Sequence, residues 1–224
     1  FFGGLTRGSI YALIALGYTM VYGIIQLINF AHGEIYMIGA FVALIVAGVL
    51  TIYGFAGISI LIIAGIIAVI YAGAYGYTLE KVAYRPLRGA PRLSPLISAI
   101  GMSIFLQNYV LLAQTPDFLP FPSLIPDFPF MEPVAHIIGS PELVIFVVTI
   151  LTMVTLTVLI KYTKIGKAMR ATQQDMSMAR LVGVNVDRVI SVTFVIGSVL
   201  AAIGGVLVAS YIGQVNFYIG FLAG

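Results

Sequence analysis

Asn29, His32 and Glu34 fall within six residues, Asn29-Phe30-Ala31-His32-Gly33-Glu34, between two long apolar runs. An amide, an imidazole and a carboxylate this close together can bind a polar solute, pass a proton or hold a gate. Ionisable groups near membrane depth are costly and usually face a cavity or a partner. Gly33 allows the backbone a close approach. The competing reading is a solvated turn between antiparallel helices, with Asn29 ending the first. One His and one Glu are too few ligands for zinc.

A second constellation lies at residues 161–188, which hold Lys161, Lys164, Lys167, Arg170, Arg180 and Arg188. From Ile165 to Val182 there is no Pro, and the only Gly is Gly166. Ala168, Ala171, Asp175, Ala179 and Val182 recur at spacings of three or four, so one helix would carry them on one face. Gly183 is the expected stop, and Asn185 or Asp187 the cap of the helix that follows. A face of small residues lets another protein approach closely. The competing reading is an amphipathic helix resting on anionic headgroups, against which stands the scarcity of large apolar residues on that face.

The elements that must position these residues follow from the arrangement of charge. Residues 9–28, 35–53, 58–79, 96–113, 143–160 and 189–212 carry no charge. A bilayer core is crossed by about 20 apolar helical residues, and only helices or closed barrels satisfy their backbone in lipid. Barrel strands would alternate polar and apolar residues; these runs do not. Charged residues are 8% of the chain and mean hydropathy is +1.10, against about 25% charged in soluble domains. The expected fold is therefore an all-α membrane protein, a polytopic bundle of about six transmembrane helices with a short cytoplasmic helix. Residues 1–224 are expected to form a single transmembrane domain, and its ends read as cut from a longer chain.

The loop at 80–95 holds Lys81, Arg85, Arg88 and Arg92; residues 114–142 hold no Lys or Arg. Positive-inside bias places 80–95 and 161–188 in the cytoplasm and 114–142 outside. Seven prolines, Pro116 to Pro141, keep that outer loop from forming a long helix. Strict alternation then leaves the N-terminus outside, unless one of the first three runs is broken or re-entrant. The net charge of +3 reflects this orientation rather than nucleic-acid binding. The absence of cysteine excludes thiol chemistry. There is no Gly-x-x-x-x-Gly-Lys-Ser/Thr loop for ATP, no paired-carboxylate site and no nucleophile elbow. His32 and His136 fall in loops on opposite sides of the membrane.

Glycines at 17, 23, 65, 73, 76, 197, 204 and 205 are the small residues that let membrane helices pack closely. A short internal likeness joins Ile25-Gln26-Leu27-Ile28-Asn29-Phe30, followed by Gly33, to Gly213-Gln214-Val215-Asn216-Phe217, followed by Gly220. Paired interruptions of this kind point to the central site of a transporter. A likeness of five or six residues arises by chance as readily as by duplication.

Several longer runs resemble the bacterial branched-chain amino-acid ABC transporter permeases, in particular their H-type subunit. They are Gly8-Ser9-Ile10-Tyr11-Ala12-Leu13, Ile28-Asn29-Phe30-Ala31-His32-Gly33-Glu34, Val82-Ala83-Tyr84-Arg85-Pro86-Leu87-Arg88 and Gly166-Lys167-Ala168-Met169-Arg170-Ala171. The resemblance covers nearly the whole chain and is poorest at 114–141. It implies a permease subunit of an ATP-driven importer, not itself an enzyme and without a cofactor or metal. Its implied partners are two cytoplasmic ATPases, a second permease subunit and a periplasmic substrate-binding protein, in the bacterial inner membrane. The segment at 164–188 would be the coupling helix, with Ala168, Arg170, Ala171, Asp175, Ala179 and Gly183 as ATPase-docking candidates. Asn29, His32 and Glu34 are the path or gate candidates. Relatives that move urea or short amides share the Asn-x-Ala-His-Gly-Glu element, so it alone does not choose the substrate. An ion-coupled carrier remains the other alternative; it should carry an intramembrane carboxylate, and none of the six uncharged runs contains one.

Overall fold

The computed structural model describes residues 2–91, 93–126 and 139–223. Arg92, Asp127, Glu132 and His136, with Pro129 and Pro133 of the outer loop, lie outside the described residues. Among the described residues six helices are long and apolar enough to cross a membrane: α1 (Phe2–Ile25), α2 (His32–Ile52), α3 (Ile58–Leu79), α4 (Leu93–Ala113), α5 (Ser140–Tyr162) and α8 (Val186–Ile212). Between the last two lie the short helices α6 (Lys164–Gln174) and α7 (Met176–Leu181). A two-residue strand β1 (Leu119–Pro120) pairs antiparallel with β2 (Gln214–Val215), and α9 (Ile219–Ala223) follows. The chain is a multi-pass helical membrane protein, as its charge pattern predicts.

The bundle is built around α8. Gly197, Ala201, Ala202, Gly204, Gly205 and Ala209 are buried along it, and small residues there let α1, α2 and α3 approach its backbone. A Cβ on Gly39 would fall 2.7 Å from the Ala202 Cα, and one on Gly76 would meet Ser198. Gly17 faces Gly197 across the α1–α8 crossing, a Cβ there falling 3.0 Å from the Gly197 carbonyl. Gly65 is different: nothing lies within 4 Å of where its Cβ would be. Large apolar residues of α4 and α5, among them Ile97, Phe105, Ile150 and Leu151, are exposed, as a lipid-facing surface requires.

Two contacts fix relative directions. The β1–β2 pair puts the end of α8 on the same side as the Pro-rich loop. Gly3, at the start of α1, lies beside the Tyr211 hydroxyl near the end of α8. So α1 and α8 run antiparallel and the start of α1 lies on the Pro-rich side, the direction strict alternation predicts. On the opposite side α3 continues through a π-turn (Glu80–Tyr84) and a 3-10 turn (Arg85–Leu87). Pro86 explains the change: its ring cannot sit in a regular helix, and the ladder opens ahead of it.

Candidate functional site

The segment after α1 does not form a solvated turn. It climbs back into the bundle, so that α2 begins among buried residues: Asn29, Ala31, His32, Gly33 and Glu34 are all buried. Asn29 does not end α1, which stops at Ile25. The Tyr84 hydroxyl donates to Asn29 Oδ1 at 2.9 Å, and the Tyr84 ring packs on Phe194. His32 Nε2 lies 3.2 Å from the Ile14 carbonyl, an oxygen that can only accept, so the ring donates there. Gly17 makes room for that imidazole, since a Cβ would sit 2.9 Å from His32 Cε1. Both side chains are thus satisfied by the bundle and hold the start of α2 in place.

Glu34 is placed differently. It is 1% exposed; Ser103 donates to Oε1 at 2.9 Å, while Oε2 has no hydrogen-bond partner. Ser103 is the eleventh residue of the 21-residue α4, so the carboxylate sits at mid-membrane depth. This corrects the expectation that no carboxylate lies within the crossings. The uncharged run begins at Ile35, whereas α2 begins at His32 and sinks its first turn into the bundle.

The short internal likeness proves to be a structural repeat with an offset of 187 residues. Ile25 ends α1 and Ile212 ends α8; His32 begins α2 and Ile219 begins α9. Gln26 and Gly213 both adopt the left-handed region, at φ 52° and 73°. The Gln26 and Gly213 amides donate to Tyr22 and Ala209, and the His32 and Ile219 amides to Asn29 and Asn216. Each pair is the same bond, 187 residues apart. The parent helices run in opposite directions, so the two returns are inverted copies. They meet: a Cβ on Gly220 would lie 2.9 Å from the Gly33 carbonyl carbon and 2.8 Å from Glu34 Oε2. Equivalent residues touching each other is what an approximate two-fold axis produces.

The segment between α5 and α8 departs from the expected single helix. Asp175 is extended (φ −156°, ψ 111°) and separates α6 from α7. Its carboxylate accepts the Ser177 and Met178 amides at 2.7 and 3.0 Å, capping a new helix in place of continuing the old one. The small residues turn inward: Ala179 is buried, and Ala168 and Ala171 are half-buried against the core. Arg170 donates to the Ile160 carbonyl, serving the open end of α5. Outward face Met178, Leu181 and Val182, at 61, 80 and 76% exposure. Gly183 ends α7 at φ 86°, and Asn185 caps α8 by accepting the Arg188 amide.

A charged cluster escaped the sequence reading. Glu80, fully buried, accepts from Arg88 and from the Ser191 hydroxyl, the latter at 2.6 Å. Arg88 also donates to Asp187 at the start of α8, and Arg85 approaches Glu80 at 3.9 Å. Read as orientation signals alone, these arginines gave no hint of a lock between α3 and α8. Among the described residues no group of three potential metal ligands converges.

A bundle of inverted, broken helices meeting at mid-membrane is the architecture of a transport protein. The family model described as "Branched-chain amino acid transport system / permease component" matches residues 1–224. The chain is 50% identical over 227 residues to the high-affinity branched-chain amino acid transport system permease protein LivH of Escherichia coli, covering 100% of this chain and 74% of that protein. LivH of Salmonella typhimurium is 51% identical with the same coverage. The corresponding permease protein BraD of Pseudomonas aeruginosa is 50% identical over 225 residues, 99% of this chain and 73% of its own. No solved structure gives a significant match. The chain belongs to the branched-chain amino-acid transport system permease family.

Proposed function

We propose that this chain is a membrane-spanning permease subunit of an ATP-driven importer of branched-chain amino acids in the bacterial inner membrane. The observation that carries the reading is the family match over the full 224 residues, with relatives named for branched-chain amino-acid transport at half identity. That match favours branched-chain amino acids over urea or short amides. It also favours an ATP-driven system over an ion-coupled carrier, which the buried Glu34 alone would not disfavour. The chain supplies the path; separate ATPases, a second permease subunit and a periplasmic binding protein supply energy, symmetry and capture.

Coupling is assigned to α6 and α7. The exposed Met178, Leu181 and Val182 form an apolar knob flanked by Asp175, Arg180 and Gly183, suited to a groove on an ATPase. Large apolar side chains make better anchors than the small face expected from spacing. Behind the knob, α6 packs under α1: a Cβ on Gly23 would sit 3.2 Å from Gln173 Nε2. Movement of α6 would thus reach α1, and through Ile14 and Gly17 the His32 start of α2. Of the path candidates, Asn29 and His32 hold the crossing in shape, and Glu34 stands at it.

A Leu181→Lys substitution tests the assignment. Burying an unpaired ammonium in an interface is strongly unfavourable, so the ATPases should no longer copurify with the detergent-extracted permease. Uptake should fall at least about tenfold, which is about 1.4 kcal/mol in binding. The permease itself should insert and melt as before, because Leu181 touches solvent. Undiminished copurification would place the docking surface elsewhere.

A further inference from the structure

Glu34 has a feature that neither the family match nor the packing of the bundle explains: a buried carboxylate with one oxygen unpartnered. It lines a cavity of about 350 Å³ whose other polar residues, Ser103 and Gln107, lie one turn apart on α4. Phe30, Ile100, Ile104 and Phe221 make the rest of its wall. The volume lies in the range of small-ligand sites, about 300–1,000 Å³. Its chemistry is an apolar chamber with an acceptor-only group at one end. A carboxylate left unpaired at mid-membrane depth is costly, and a chain that keeps one there has a use for it. The wall residues come from both inverted returns, Phe30 from the first and Phe221 from the second, so the chamber lies beside the Gly33–Gly220 contact.

We infer that this cavity is a transit site for the transported amino acid. The Glu34 carboxylate takes the α-ammonium group, Ser103 and Gln107 add hydrogen bonds, and the aliphatic side chain lies against Ile100, Ile104, Phe30 and Phe221. Headgroup ammonium from lipid is a poor candidate for the same carboxylate, because Glu34 is level with the midpoint of α4. The returns that meet at Gly33 and Gly220 form one wall of the site, with Gly220 seated on Glu34 Oε2. Parting of that contact would expose the second oxygen to the solute. The inference rests on the importer reading, and the test separates the two.

The assembled importer, with its ATPases and binding protein, is reconstituted into vesicles, and ATP-driven uptake of leucine is measured beside ATP hydrolysis. Wild-type vesicles without ATP-driven leucine uptake would refute the importer reading itself. Given wild-type uptake, Glu34→Gln keeps the size of the side chain and an oxygen to accept from Ser103, and removes its charge. Uptake should fall about tenfold or more, the cost of losing a charge-assisted partner, while binding-protein-stimulated hydrolysis persists. Undiminished uptake by Glu34→Gln would overturn the inference, as would loss of hydrolysis and uptake together in a normally assembled complex. Should Glu34→Gln fail to assemble, Gln107→Lys decides, since it tethers an ammonium beside Glu34. Its uptake should be at least about tenfold below that of the similarly long but uncharged Gln107→Met; equal uptake by the two would overturn the site.

Discussion

Replacing Gly205 by leucine should remove the protein from the membrane fraction. A Cβ at this position would run into the Tyr36 carbonyl and lie 3.2 Å from the Ala40 amide nitrogen. Both obstacles are backbone, held in the first turns of α2, and neither can rotate away. Overpacking a core typically costs about 1–3 kcal/mol and sometimes more; with backbone on the receiving side the upper end or beyond is expected. The displaced α2 would also carry His32 off Ile14 and Glu34 off Ser103. Gly65→Leu is the matching control, because its Cβ meets nothing within 4 Å and leucine has the better helix propensity. Immunodetection of both variants in isolated membranes checks the contrast: Gly205→Leu absent or degraded, Gly65→Leu at wild-type level.

The second large effect is expected at the charged lock between α3 and α8. Arg88 donates to both Glu80 and Asp187, and Glu80 has no exposed surface. An Arg88→Leu substitution leaves Glu80 with the Ser191 hydroxyl and a guanidinium at 3.9 Å. Breaking a buried pair on one side costs about 3–5 kcal/mol. Replacing both partners is far milder, so Glu80→Leu combined with Arg88→Leu should recover much of the loss. Thermal unfolding of the detergent-solubilised protein measures this: a large fall in melting temperature for the single variant, a partial return for the double. A single variant that melts like the wild type would mean that the lock adds nothing to stability.

The six crossings were legible because lipid tolerates so few charges that uninterrupted apolar runs stand out. Their starts were not: α8 begins three residues before its run, at Val186, where the Asn185 cap rather than hydropathy decides. The early end of α1, at Ile25, was hidden because Gln26-Leu27-Ile28 is uncharged and contains neither Gly nor Pro. Its one signal was the likeness to the stretch after Gly213, where glycine does mark the turn. Gln26 adopts the same left-handed conformation without that marker. The break between α6 and α7 had a readable cue in Asp175, a residue type favoured as a helix N-cap. Spacing alone carried one helix through it and turned the alanines the wrong way. The depth of Glu34 could not be read at all, because it depends on where the chain goes after residue 25. Glu80 was read as a loop residue for the same reason: its partners are 8 and 111 positions away.

The most direct test of the account is leucine uptake by vesicles holding the assembled complex, with ATP enclosed on the ATPase side and the binding protein on the other. Accumulation against a gradient is expected only with hydrolysable ATP, and it should vanish with Leu181→Lys. Accumulation that proceeds without nucleotide, driven by a proton or sodium gradient and indifferent to Leu181→Lys, would contradict it.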